Sequence, residues 1–126
     1  MAGFLLDTDI CLRAIRDREE GLRVRFNTHA DELGVSPISL AALFEGAERT
    51  ERPERNRRIV KEFAMRLTVR AFDHDAAIHA GEIQAASPID ADRAMIAATA
   101  RANGLILVTG APEAYRAIPG LRLESW

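Results

Sequence analysis

The chain has 126 residues, 48% of them apolar, which is enough to bury one core and too apolar for a disordered chain. Its net charge of −2 excludes an overall field that would steer nucleic acid. No apolar run approaches the ~20 residues of a membrane span, no basic leader opens the chain, and Cys11 as the only cysteine excludes an internal disulfide. The expectation is one soluble, cytoplasmic domain over residues 1–126 with no membrane partner.

In chain order, "GFLLD" reads as a short buried strand that runs into Asp7. "TDICLRAIR" is helix-like, with Ile10, Ala14 and Leu12 as the residues expected to turn inward. "EEGLRVRFNTHADE" is a weaker helix around Leu22 and Phe26, and "LGVSP" is a second strand that Pro37 ends. "SLAALFEGAER" is a stronger helix, with Ser39 expected as its N-cap and Leu40, Leu43, Phe44 and Ala47 at i, i+3, i+4, i+7. Glu45 falls off that apolar stripe. "RPERNRRIVKEFAMRL" is a further helix with Pro53 near its first turn and Ile59, Val60, Phe63 and Leu67 inward.

"VRAFD" is read as strand three and "HDAAIHAGEIQAA" as helix. "SPIDADRAMIAATARANG" is helical from Asp90 or Asp92 and stops at Asn103-Gly104. "LILVT" has the continuous apolar run of a central parallel strand, and "LRLESW" is read as a last short one. Alternating strands and helices predict an α/β fold with a mainly parallel sheet and helices on both faces. Sites in such sheets form beyond the carboxyl ends of the strands. Asp7 and Asp9 after strand one and Thr109 at the end of "LILVT" should therefore share one edge.

The candidate acids are Asp7, Asp9, Glu45, Asp90 and Asp92. Carboxylates forced together raise one another's pKa unless a cation sits among them. Mg²⁺ and Mn²⁺ prefer oxygen ligands, and Mg²⁺ takes one or two carboxylates while keeping several waters. A sparse set of acids at a strand edge suits a metal that works on phosphate. Asp7 is the hardest to explain structurally, because an apolar strand leads into it, whereas Asp9, Asp90 and Asp92 each have an alternative as a helix cap. The three histidines lack zinc-ligand spacing. Between Arg49 and Arg70 eight basic residues face three acids, a solvated helix face or a phosphate-contacting surface, and Lys61 is the only lysine in the chain. "DTDIC" also partly matches the D-x-D-x-[TV] phosphatase motif, but Cys11 misses its last position and "LVTGAP" supplies no later acids.

Taken together, "LLDTDIC", "SLAALFEGAERT", "AMIAATARANGLILVT" and "IPGLRLESW" resemble the VapC toxins of VapBC toxin–antitoxin pairs, which are PIN-domain ribonucleases, over almost the whole chain. The resemblance implies a PIN-like three-layer α/β/α domain. It implies a Mg²⁺- or Mn²⁺-dependent endoribonuclease toxin that cuts RNA such as tRNA or ribosomal RNA, is neutralised by a cognate antitoxin, and is commonly a homodimer. By position Asp7 is the first acid, Glu45 the second and Asp92 the best match to the third, with Asp90 as its alternative. All four are candidate metal ligands, and the Thr109 hydroxyl would support the site. Asp9 stands where the family usually has asparagine.

Two departures from the family pattern stand out. The third acid usually lies three residues before the isoleucine of "IAA". Arg93 is there, and Asp92 lies four before Ile96. One position on a helix is a rotation of ~100°. Ala111 also fills a place that often carries asparagine or aspartate. The competing expectation is a PIN fold that has lost its chemistry and binds antitoxin or RNA without cleavage.

Overall fold

The computed structural model describes residues 3–126; Met1 and Ala2 of the 1–126 span lie outside the described residues. Strand β1 (Phe4–Leu6) is the middle of a five-stranded sheet ordered β3-β2-β1-β4-β5. β2 is Leu33–Val35, β3 Thr68–Val69, β4 Ile106–Val108 and β5 Arg122–Glu124. Every pairing is parallel, with Leu5 opposite Gly34 on one side and Leu107 on the other. The expected parallel α/β architecture is therefore present.

The side-chain period of two along a strand divides the core into two layers. Phe4 and Leu6 of β1, with Val35 and Val108, enter a cluster formed with α1 (Thr8–Arg16), α2 (Glu20–Thr28), α3 (Pro37–Glu48) and α4 (Pro53–Ala64). Leu5 and Leu107 point the other way, into α5 (His74–Ala86) and α6 (Ala91–Ala102). Leu5, Leu6, Leu107 and Val108 are fully buried. Each such side chain contributes about 1.5–3 kcal/mol from burial. The alanines of α6 are the reason that helix lies close against the sheet: Ala94, Ala97, Ala98 and Ala100 are all buried.

Leu12, expected to turn inward, is exposed on α1, and two element boundaries differ from the sequence expectation. Ser36, not Ser39, caps α3: its hydroxyl accepts from the Ile38 N–H at 3.0 Å, and Pro37 ends the strand by beginning the helix. Pro suits this first helical position because its missing N–H has no partner to lose there. Ser39 is buried instead and accepts from the Thr8 hydroxyl at 2.9 Å, tying α3 to the start of α1. Strand three is only Thr68–Val69 at the exposed edge, and 70–73 follow without regular structure. Gly104, at φ +64°, ends α6 as expected and sends the chain into β4. Among the described residues no helix is long and apolar enough to cross a membrane.

Candidate active site

At the carboxyl end of β1 the backbone N–H of Asp7 donates to the Val108 carbonyl at 2.9 Å, so the exits of β1 and β4 lie side by side. Asp7 is also the N-cap of α1 and is only 7% exposed. Its Oδ1 accepts from the Thr8 N–H at 2.8 Å. Its Oδ2 accepts from two hydroxyls, Thr109 at 2.8 Å and Tyr115 at 2.9 Å. A buried carboxylate is tolerable when its lone pairs are met in this way and the helix N-terminus adds partial positive charge.

Asp9 does not cap α1, as Asp7 holds that role, but sits in its first turn. Its Oδ1 accepts from its neighbour's Ile10 N–H at 2.8 Å and its Oδ2 from the Gly110 N–H at 2.9 Å. Burial first, then the charge of Asp7, raises the Asp9 carboxyl above its usual range, against the pull of Gly110, Ile10 and Arg13. Gly110 has no room for a side chain: a Cβ there would meet Asp9 Oδ2 at 2.6 Å. Close by, burial also raises the Cys11 thiol and the Tyr115 phenol, in each case with the charge of Asp7 adding to it. Cys11 is thus an inert packing residue at neutral pH.

The sequence candidates divide into two groups. Asp7, Asp9 and Thr109 meet at the edge of β1 and β4. Glu45, Asp90 and Asp92 do not join them: among the described residues no three His, Cys, Asp or Glu side chains are grouped closely enough to hold a metal. The local setting of each of the three is visible. Glu45 lies exposed on α3 and pairs with Arg49, one turn further on, at 2.8 Å. Asp90 is the N-cap of α6, accepting from the Arg93 N–H at 3.3 Å, with the Arg93 guanidinium 3.6 Å away. Asp92 is exposed in the first turn of that helix. Arg93 occupies the position at which the third acid was expected, and its charge acts on Tyr115.

A divalent cation fits the two acids that do meet. Asp7 and Asp9 are adjacent carboxylates whose mutual repulsion is not neutralised by an ion pair among the described residues. One or two carboxylates with water are sufficient for Mg²⁺, and Asp7 Oδ1 keeps a free lone pair on the count of its donors. Tyr115 escaped the sequence reading because the segment 110–120 has no periodicity to orient its side chains; nothing in "GAPEAYRAI" marks the one that points inward.

Residues 4–117 match the PIN domain family. The chain is 39% identical to the tRNA(fMet)-specific endonuclease VapC of Salmonella typhimurium over 131 aligned positions, covering 100% of this chain and 99% of that protein. The chain belongs to the PIN-domain family and, within it, to the VapC ribonucleases. It is 37% identical to Ribonuclease VapC2 of Haemophilus influenzae, again over 100% of this chain and 99% of the relative. The DNA-bound VapBC complex of Salmonella typhimurium superposes with a TM-score of 0.94 at 39% identity, covering 100% of this chain and 99% of that one. VapBC2 of Rickettsia felis, bound to a fragment of its promoter DNA, gives 0.89 at 28% identity with 98% of each chain covered. The parallel pairing of β1 with β4 accounts for the meeting of Asp7 and Thr109: each follows one of two neighbouring strands and so reaches the same edge.

Proposed function

We propose that this chain is an endoribonuclease toxin of the VapC type, dependent on Mg²⁺ or Mn²⁺, that cleaves RNA phosphodiester bonds and is neutralised by a cognate antitoxin. The observation that carries the reading is the buried Asp7 carboxylate, held by three donors at the β1–β4 edge of a chain alignable end to end with VapC ribonucleases. Asp7 would hold the cation, with Asp9 beside it. Glu45 and either Asp92 or Asp90 are the further acids proposed to face the metal when the site is loaded, and Thr109 supports Asp7. A bound dication supplies a nucleophilic hydroxide near neutral pH and offsets charge on the phosphate.

The chain's own residues do the rest. Asp7 stays fixed because its carboxylate is bonded on both oxygens, so little reorganisation accompanies binding. Asp9 adds negative charge that favours a cation at the edge. The exposed basic face of α4, carrying Arg52, Arg55, Arg58 and Lys61, is the proposed contact for RNA phosphates. The names of the Salmonella and Shigella relatives specify tRNA(fMet), so a tRNA is the proposed substrate ahead of ribosomal RNA.

A groove of about 520 Å³ between α1, α2 and α4, floored by Leu22, Phe26, Ile59 and Phe63, offers an apolar seat for an antitoxin segment. Its rim carries both signs of charge, including Arg13, Arg23 and Glu62. A homodimer in the cytoplasm completes the reading.

Two observations favour the second reading, a PIN module that binds without cutting. Glu45 is occupied by Arg49, and Arg93 stands where an acid was expected. The test is RNA cleavage with Mn²⁺ by wild type, Asp7→Ala and Glu45→Ala, each checked for folding. Loss of cleavage in both variants supports the nuclease. Undiminished cleavage by both rejects the assignment, and no cleavage by wild type with antitoxin binding intact favours the binding module.

A further inference from the structure

We propose that Tyr115 is a positioning residue for the metal-facing acid: its buried hydroxyl, together with that of Thr109, saturates Asp7 Oδ2 and leaves Oδ1 as the one oxygen free to take a cation. The proposal rests on the nuclease reading above and gives one of the three donors to Asp7 a specific role. Tyr115 is fully buried, and its hydroxyl lies 2.9 Å from Asp7 Oδ2, 108 residues away in the chain.

The argument is a count of lone pairs. A carboxylate offers about four acceptor sites, two on each oxygen. Oδ2 takes the Tyr115 and Thr109 hydroxyls, which fills it. Oδ1 takes only the Thr8 N–H, which leaves it one site. A group with both of its oxygens fixed cannot turn to present Oδ2 instead, so a cation meets Asp7 through Oδ1 alone. The two hydroxyls have no better use for their protons. Thr109 Oγ1 already accepts from the Ala111 N–H at 3.0 Å, which leaves its O–H to point at Asp7. Tyr115 has a single O–H, and a carboxylate oxygen can only accept, so at 2.9 Å the phenol donates to Asp7 Oδ2.

The tyrosine is itself rigidly held. Its ring packs in the layer with Leu5, Ala94, Ala97 and Leu107, and its backbone N–H closes the short turn Pro112–Ala114 by donating to the Pro112 carbonyl at 3.0 Å. Ring and hydroxyl thus do separable work. Phenylalanine keeps the packing and removes the hydrogen bond, so the two can be told apart by a single substitution.

The experiment measures Mn²⁺ binding by titration calorimetry, thermal melting without metal, and RNA cleavage for wild type, Tyr115→Phe and Tyr115→Leu. Loss of a partner that orients a metal ligand typically weakens metal affinity about 10–100-fold. Tyr115→Phe is expected to fold, to bind Mn²⁺ weaker by about that factor, and to regain part of its cleavage when Mn²⁺ is raised. Tyr115→Leu is expected to lose the same metal affinity and, in addition, melting temperature. Mn²⁺ affinity in Tyr115→Phe within twofold of wild type overturns the positioning role, whatever happens to the melting temperature. Wild type that takes up no Mn²⁺ overturns the metal-nuclease reading itself, which distinguishes the two failures.

Discussion

The Thr109 hydroxyl donates to Asp7 Oδ2 at 2.8 Å across 102 residues of chain. It joins the exits of two adjacent parallel strands, and both groups are buried. Thr109→Val keeps the shape and deletes the donor, leaving the Ala111 N–H without its acceptor as well. Leaving a buried polar group unsatisfied costs about 1–3 kcal/mol. Urea unfolding without divalent metal should show a loss of that size for Thr109→Val and most of it restored in Thr109→Ser. Equal stability of Thr109→Val and wild type would show the hydrogen bond to be dispensable.

A second relationship at the same edge is steric. The Asp9 carboxylate rests on the backbone of Gly110, 2.9 Å from its N–H, where a Cβ would stand 2.6 Å from Oδ2. Gly110→Ala must therefore displace Asp9. Overpacking of this kind costs roughly 1–3 kcal/mol. Asp9→Ala should remove most of that penalty, so the double variant is expected to be more stable than the sum of the singles predicts, by a coupling of about 0.5–3 kcal/mol. Strict additivity in a double-variant cycle would sink this account.

Much of this edge was readable before any coordinates. Three apolar residues leading into Asp7, and a second apolar strand ending in Thr109, place two groups on one rim once the sheet is parallel, because the pattern of a buried strand is continuous and unambiguous. Partnerships between side chains were less legible. Glu45 and Arg49 stand at i, i+4, which is a sufficient reason for them to pair on an exposed helix, yet the pairing competes with a metal that the sequence cannot weigh. Asp90 and Asp92 sit two apart at a helix start, and only the backbone conformation decides that Asp90 is the cap. Tyr115 lies in an aperiodic segment, so its inward aim is a product of tertiary packing alone.

The boundary at Ser36 carries its own consequence. Its side chain is fully buried and satisfies the Ile38 N–H, one of the unpaired donors at the start of α3. Ser36→Ala should destabilise the chain by about 0.5–2 kcal/mol, the usual range for loss of an N-cap. Ser39→Ala removes only the acceptor of the Thr8 hydroxyl, and its cost should be smaller. The reverse order in chemical denaturation would restore Ser39 as the cap.

Asp9 gives the site a pH dependence whose sign is fixed by the direction of its shift. Its carboxyl is raised above the ordinary 3.8, by burial first and by Asp7 second. Between the ordinary value and the raised one, the folded chain holds a proton that the unfolded chain has lost. Stability from this group is therefore present at the acid end and falls as pH rises through that window. Asp9→Asn cannot titrate, so the stability of wild type relative to Asp9→Asn should decline with rising pH and then level off. Adding Mn²⁺ favours the ionised carboxylate and should flatten the decline. A difference that grows with pH in metal-free protein would mean that Asp9 is stabilised as the anion, contrary to its surroundings.

Arg49 offers the sharpest separation of the cutting and non-cutting readings, because it holds Glu45 on the surface. The pair is exposed on both sides, and helix pairs of this kind are worth only about 0.3–0.5 kcal/mol. Arg49→Ala should therefore leave the unfolding midpoint nearly unchanged. If Glu45 faces the cation in the loaded site, releasing it from Arg49 removes a competing partner, and Mn²⁺ affinity should rise by about twofold, the factor that such a pairing energy corresponds to. Glu45→Gln should abolish that gain and weaken cleavage whether or not Arg49 is present. If instead Arg49→Ala leaves Mn²⁺ binding untouched and Glu45→Gln cleaves RNA at the wild-type rate, Glu45 is an ordinary surface residue and the cation is held by Asp7 and its neighbours without it.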